Sequence, residues 1–600
     1  MLFVTLPSET IIRVLGLADP IDIRRCQLVC RRLRELVTSS SYLQYILELD
    51  TCGYTVPLIS RPDLSYEEMI RTLQDHRKAW QNPSGRDPEF IELPSREIVN
   101  PYFVDGVLAY EYVQSGVELG RIGLMDEIHF HQLQSTNKGT SYQYWHHHDF
   151  GFPMEKFAIQ PEIDLLVLVE GVVLRQEDVD ELDWGTARIS HKTYRLHFLT
   201  MSTNTPHSLA GLPVLDTRLS GLANSNETQD TKTIISLNGR MIMLVTSTRK
   251  AAFENAIVVW DWVKGNEVLR IIVPVYQMND HTAIPRFDPV LLSEDYLLIS
   301  CIPERDMVKN SSPSVPGGVH IGTLDIYHLR SEPDGARRVA TFELPNISIP
   351  HAKWGIKLSS GPAKLPWTPY WLTQIKYTPR VYETAPQREM FCLFISIWIT
   401  HPSDPDYEES NPFPSLLHVP AQTLLDHLDI PHSSHPIVIP WDVWGVRLTW
   451  ININSWGCPP YGLATISGLR HSICNFRYYT TLDGRDSEAG RDAQVILDFD
   501  PQRLRFRPSI GYTNDQKNYL FWGNEAPGTK FMTQTTPYGT PLFESPVNIA
   551  PSYSRIPINV DTLPIKTAGL PTMVGDEHIV IPVQEYGHPD PSTGLYIHTL

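Results

Sequence analysis

No stretch of this 600-residue chain approaches the roughly 18 consecutive apolar residues that a membrane-spanning helix needs. The opening Met-Leu-Phe-Val is too short an apolar run for a secretory signal, and Pro7, Glu9 and Arg13 follow at once, so no signal peptide is expected. Cysteine is scarce: seven residues, scattered and odd in number, suit a reducing compartment better than a disulfide framework. With no secretory signal, this points to the cytoplasm, the nucleus or both. Basic residues are outnumbered, 50 Lys and Arg against 68 Asp and Glu, for a net charge of −18. That excess argues against a general nucleic-acid surface, although a local basic patch stays open. There is no Gly-x-Ser-x-Gly elbow and no phosphate-loop pattern, and nothing pairs a nucleophile with a base. No catalytic residue, cofactor or metal is therefore assigned.

What is present is an ordinary globular composition, 42% hydrophobic and 20% charged, on a chain too long for one core. Its N-terminal segment is helical in pattern. Ile11, Val14 and Leu15 share one helical face. Asp19-Pro20 is a start signal for a second helix, because Asp19 can cap and a proline in the first turn loses no needed N–H. Ile23, Cys26, Cys30, Leu33 and Val37 then recur at spacings of three and four, with Arg24, Arg25, Arg31, Arg32 and Arg34 off that seam. Two or three short helices within about 45 residues make a marginal core, which is expected to need a partner over its apolar surface.

This segment resembles the F-box, the small helical module that docks a protein onto the Skp adaptor of cullin-type ubiquitin ligases. Leu6, Pro7 and Glu9 match the family's opening Leu-Pro-x-Glu, Ile12 and Leu15 its apolar pair, Asp19-Pro20 its turn, and Val29-Cys30-Arg31 its Val-Cys-Arg. Thr10, Ala18 and Leu33 depart from the usual residues. The resemblance implies that Leu6, Pro7, Glu9, Ile12, Leu15, Pro20, Val29, Cys30 and Arg31 form or support the adaptor-binding surface. The alternative is a helical hairpin packed on its own domain.

We place this F-box at 1–50 and a linker at 51–88. Ser65-x-x-Glu68 is a capping box, and Met69, Leu73, His76 and Trp80 follow at helical spacing, which predicts a helix over about 66–80. Asn82 to Pro88 is a turn-rich break. Beyond it the grammar changes to short apolar or alternating runs, among them Val107–Val113, Ile163–Val173, Ile234–Val245, Ile257–Trp262, Cys392–Ile399, Tyr519–Trp522 and Leu595–Leu600. With 49 prolines and 35 glycines between such runs, residues 89–600 read as all-β. One open sheet of that size would expose too many edges, whereas radial repetition leaves only short ones. The expected fold is therefore mainly β with a small α N-terminus: a three-helix F-box, a linker helix, and then a propeller of about seven irregular, WD-like blades. The alternative is a pair of β-sandwiches.

Ile257 to Gly265, with Trp260-Asp261-Trp262 and Lys264-Gly265, is similar to the end of a WD-repeat blade, where a Trp-Asp strand precedes a turn into the next blade; Gly322 to Tyr327 resembles the same position without the tryptophan. A broader likeness joins Tyr42 to Glu48, His76 to Trp80, Asp164 to Leu168, Pro440 to Gly445, Leu497 to Pro501 and Gly575 to Ile579. In that order they resemble fungal F-box proteins with divergent WD-like C-termini, which implies a fungal source and ligase substrate recognition.

Four other features carry competing readings. His129 and His131 share a strand face and lie near His146, His147 and His148, a candidate metal cluster or simply solvated histidines. Cys26 and Cys30 sit on the helical seam and read as small apolar groups rather than metal or redox thiols. Trp441, Trp444 and Trp456 either anchor a partner peptide or fill gaps between blades, the second being the simpler. The acidic segments 403–409 and 483–492 read as solvated linkers.

The expected protein is a non-catalytic adaptor. Its F-box would bind the Skp adaptor, and through it a cullin, and its propeller would bind a protein target, with no nucleic acid and no membrane. A scaffold outside ubiquitin ligation and a metal-dependent hydrolase remain as alternatives.

Overall fold

In the computed structural model the described residues are 5–81, 88–93, 97–113, 127–152, 154–178, 188–224, 231–248, 255–273, 287–302, 319–330, 335–347, 353–360, 378–384, 389–398, 400–401, 404–408, 413–428, 435–445, 448–452, 466–467, 470–475, 493–498, 531–532, 547–548, 554–558, 572–584 and 593–600. The expected strand Tyr519–Trp522, the acidic segment 483–492 and Trp456 lie outside them.

Five helices come first: α1 Ser8–Leu15, α2 Pro20–Val29, α3 Arg31–Ser39, α4 Ser41–Cys52 and α5 Tyr66–Gln81. The α5 helix opens on its capping box, with Ser65 N–H and Oγ–H donating to the Glu68 carboxylate at 2.8 Å and Glu68 N–H returning to Ser65 Oγ at 3.3 Å. Among the described residues no helix is long and apolar enough to cross a membrane.

The remainder is almost wholly antiparallel β. Seven sheets of four or five strands follow one another among the described residues. The first uses Glu97–Val104, Val107–Val113, Glu127–Gln132 and Gln143–His148; the second runs from Met154 to Asn224, and the third from Thr231 to Val273. The fourth, Phe287 to Glu343, gains Ile437–Ile439 as a parallel edge strand. The fifth runs from Lys353 to Asn452, the sixth from Ile466 to Ile558, and the seventh from Met573 to Thr599. The seventh is completed from the other end of the chain, since Glu89–Leu93 pairs antiparallel with Thr593–Thr599, Glu89 opposite Ile597 and Leu93 opposite Thr593.

Neighbouring sheets share apolar cores. Leu166 and Leu168 face Phe130 and Phe157 of the first junction, while Leu165, Val167 and Val169 of the same strand face Leu244 and Trp260 of the second. The alternation follows from the two-residue period of a strand buried on both faces. Phe103 and Leu108 of the first sheet pack with Val580 and Leu595 of the seventh, so the succession returns to its start.

Two readings of the sequence need correction. Ile234–Val245 is not one run but a hairpin, Thr231–Asn238 against Met241–Thr248. Gly239 supplies the positive φ of +56° that the two-residue turn requires, and Arg240 N–H donates to the Glu294 carboxylate at 2.9 Å beside it. The turn after Trp260-Asp261 does not lead into the next sheet; it leads to Asn266–Val273, the outer strand of the same sheet. Asp261 holds that turn, accepting from Lys264 N–H at 3.1 Å and pairing with buried Arg240. Trp441 and Trp444 fill the junction of the fourth and fifth sheets, with Trp444 Nε1–H donating to Glu343 O at 2.9 Å.

Candidate functional site

Each N-terminal helix starts where its local chemistry allows. The Pro7 carbonyl accepts from Thr10 and Ile11 N–H, both at 3.1 Å, and opens α1. The Asp19 carboxylate accepts from Ile21 N–H at 2.9 Å and caps α2, with Pro20 in the first turn. The seam read through Cys30 is broken there: Cys30 is extended at φ −158° and ψ 163°, and its carbonyl begins α3 by accepting from Arg34 N–H at 3.1 Å. The seam is therefore shared between two helices, α2 and α3. Both still aim their apolar residues inward, because Ile23 of α2 and Leu33 and Val37 of α3 meet Ile11, Leu15, Leu43 and Ile46 in one core. Cys26 and Cys30 are free thiols half-buried against it.

The nine residues singled out from the family pattern fall into three environments. Leu15 lies inside the core at 3% exposure and supports the surface rather than facing a partner. Ile12, Pro20 and Cys30 are half-buried. Leu6, Pro7, Glu9, Val29 and Arg31 are exposed. Arg32 Nη2 donates to the Leu6 carbonyl at 2.9 Å, which brings the start of α1 to the start of α3, one residue beyond Arg31.

Of the four most exposed apolar side chains of this module, the family pattern singled out Val29 alone. Leu17 is 90% exposed, Leu28 78%, Val29 70% and Ile21 50%. Ile21 and Leu28 are two turns apart on one stripe of α2, Val29 flanks them, and Leu17 precedes the helix. The signal was available, since these are the apolar residues that fall off the inward seam. On so small a core, the stripe leaves apolar surface uncovered.

The module is fixed to the β region through segment 378–384, which the fifth sheet sends out between its first two strands. Tyr45 Oη donates to the Val381 carbonyl, and Tyr54–Thr55 pairs with Glu383–Thr384. The Tyr54 and Tyr382 ring centres lie 4.2 Å apart, with the rings tilted by 30°. On α5, Trp80 Nε1–H and His76 Nε2 reach the Asp576 carbonyl of the seventh sheet at 2.9 and 2.7 Å. Val381 and Tyr382 N–H both donate to Asn137 Oδ1 at 2.9 Å, and Arg380 pairs with Asp105 at 2.7 Å; Lys138 reaches the same carboxylate at 2.6 Å. Burial opposes ionisation of Asp105, but Arg380 and Lys138 outweigh it and hold that carboxyl below its usual range. Sequence reading missed this joint because its members come from four distant parts of the chain.

His129 and His131 do share a strand face, as the two-residue period requires. It is an aromatic face: His131 bonds the Tyr110 and Tyr142 hydroxyls, each at 2.8 Å, His129 bonds Tyr144 Oη at 2.8 Å, and the Glu127 carboxylate lies 3.1 Å from His129 Nε2. Burial pushes His131 down to about 4, helped by His129. His147 turns away to the Met201 carbonyl at 2.7 Å, and His148 pairs with Asp149. Among the described residues, the group spaced to hold a metal lies elsewhere, at Cys392, His418 and His471.

The family model "F-box-like" matches residues 3–44, the segment that forms α1 to α3 and the start of α4. No curated protein matches the chain. Among solved structures, an acylaminoacyl peptidase of Pyrococcus horikoshii aligns at 9% identity and a TM-score of 0.29, over 68% of this chain and 46% of its own length. The β-propeller domain of the Trilobed protease of Pyrococcus furiosus aligns at 8% and 0.21, over 56% and 92%. A puromycin-hydrolyzing peptidase of Mycobacterium tuberculosis aligns at 8% and 0.20, over 69% and 61%. Likeness at this level shows neither a shared activity nor a shared substrate. Helices first and sheets after, the chain carries an F-box-like domain at residues 3–44, joined to a long region built mostly of β-sheet.

Proposed function

We propose that this protein is the substrate-recognition subunit of a Skp–cullin–F-box ubiquitin ligase, working in the cytoplasm, the nucleus or both. The exposed stripe of Leu17, Ile21, Leu28 and Val29 on a module matching the F-box-like family carries the reading. Covering four such side chains with the Skp adaptor is worth roughly 1.5–3 kcal/mol each before the costs of association. Leu6, Pro7, Glu9 and Arg31, exposed at the α1–α3 end, extend the same contact.

We read the seven sheets as the irregular, WD-like blades of a propeller that presents a rigid face to a protein target. The closure of the last sheet by Glu89–Leu93 supports it, since that pairing leaves no free end between first and last blades. The joint at 378–384 serves the same purpose, because a target held at fixed distance from the cullin is held near the ubiquitin donor. On this reading the chain needs no catalytic residue, since the chemistry occurs on the partner.

Purified adaptor and full-length chain test this directly. Leu17→Asp with Leu28→Asp leaves the core side chains in place, so folding is expected to persist while affinity for the adaptor falls by about 2–4 kcal/mol, from thirtyfold to near a thousandfold. Undiminished binding by the folded double variant would remove this surface from the contact. Binding that never recruits a cullin or alters target turnover would favour a scaffold instead.

A further inference from the structure

Cys392 and His418 stand directly opposite each other on neighbouring strands of the fifth sheet, so their side chains share a face. His471, on the sixth sheet, crosses the junction to them, with its Nδ1 2.7 Å from His418 Nε2 and the two rings 5.0 Å apart. All three are buried, at 1%, 2% and 1% exposure. One ligand atom from each lies within 4.8 Å of the other two. On His471 the outer nitrogen, Nε2, meets no hydrogen-bonding group among the described residues. A buried polar atom in that state is costly, and a native interior rarely keeps one without a reason.

We propose that Cys392, His418 and His471 bind a divalent transition-metal ion of zinc's borderline-soft kind, and that this ion staples the fifth sheet to the sixth. One thiolate and two imidazoles are a donor set such ions favour, and three protein ligands leave one tetrahedral position for water. Burial keeps both imidazoles neutral, His471 pushed down to about 3 and His418 also well below its usual value, so each ring offers a lone pair at neutral pH. Burial also pushes the Cys392 thiol up. The ion must therefore displace the thiol proton, which leaves to solvent as the sulfur–metal bond forms, and binding strengthens with rising pH. With all three ligands closed off from solvent, the role is structural.

The test uses full-length protein purified without a histidine tag. About one equivalent of zinc per chain is expected, and removing it with chelator should lower the melting temperature, with zinc restoring it. Cobalt loaded in its place should show a thiolate-to-metal charge-transfer band that Cys392→Ser abolishes. His471→Ala should weaken zinc binding by more than the roughly 10–100-fold that losing an outer-shell partner costs. The exposed histidines supply the control: His146→Ala and His148→Ala together should leave the equivalent in place. Should the ligand variants fail to fold, the chelation and zinc-return cycle on the wild type decides alone. A folded, metal-free wild type whose melting ignores added zinc overturns the proposal, and so does an equivalent that vanishes with the surface histidines. In either case the two histidines are a hydrogen-bonded packing pair.

Discussion

The helical module and the β region treat apolar surface in opposite ways. Between sheets, apolar faces close on their neighbours: Leu166 and Leu168 on Phe130, Leu244 on Phe198, Phe342 on Leu393, and Leu595 back on Phe103. In the module, a core of seven buried side chains closes while α2 keeps Leu28 and Val29 outside it. On the proposed function, the region that buries its apolar side chains within itself is a frame, and the one that leaves a stripe open is a contact. The joint at 378–384 makes the two one object.

That joint is where the comparison breaks most easily. Asp105 and Gly106 form a two-residue turn with φ of +49° and +78°, a conformation Asn-Gly also accepts. Asp105→Asn therefore keeps the turn and removes only the charge, leaving Arg380 and Lys138 in a nearly closed site without their carboxylate. The expected loss is about 3–5 kcal/mol, read as a lower melting temperature and faster proteolysis between α5 and the first sheet. An unchanged melting profile would show that the module is tethered loosely rather than clamped.

Within the module, Leu15→Ala sharpens the distinction between supporting and touching a partner. It empties a core position and should cost about 2–5 kcal/mol of stability. Adaptor affinity should fall only as the folded fraction falls. Leu17→Asp and Leu28→Asp should do the reverse, losing affinity at constant melting temperature. If Leu15→Ala abolished binding while leaving the fold intact, Leu15 would be a contact and the burial at that position misleading.

What could be read in advance was local. Asp19-Pro20 and Ser65-x-x-Glu68 announce helix starts because the cap and the group it satisfies are two or three residues apart. Periodicity separates inward Ile23, Leu33 and Val37 from outward Ile21 and Leu28 on the same grounds. It overran Cys30, since a seam spaced by three and four residues carries through a break that keeps the next helix in phase. It also merged two strands at Asn238-Gly239, where the turn glycine should have overruled the apolar run. The pairing of Glu89–Leu93 with Thr593–Thr599, the Arg380 clamp and the Cys392, His418 and His471 cluster were beyond reach. Each joins residues from distant strands, and no spacing rule links partners that only the three-dimensional closure brings together.

Glu111 offers the smallest and most specific test of how completely the β region closes. It sits fully buried on the second strand of the first sheet, where its Oε2 accepts from Asn100 Nδ2 at 2.9 Å. Burial raises its carboxyl to about 7, against weaker lowering by Asn100 and Lys156. Between the ordinary glutamate range and about pH 7, the folded state thus holds a proton that the unfolded chain has lost. The sign follows: this contribution is fully present below the ordinary glutamate range and is lost as pH rises through about 7, to a limit of about 3 kcal/mol. Glu111→Gln is neutral at every pH and keeps an oxygen for Asn100. Its melting temperature should therefore change less than the wild type's from about pH 5 to about pH 8, and should be the higher of the two at the alkaline end. Parallel curves would mean that water reaches Glu111, and that the first sheet is less tightly sealed against its neighbours than the module is open to its partner.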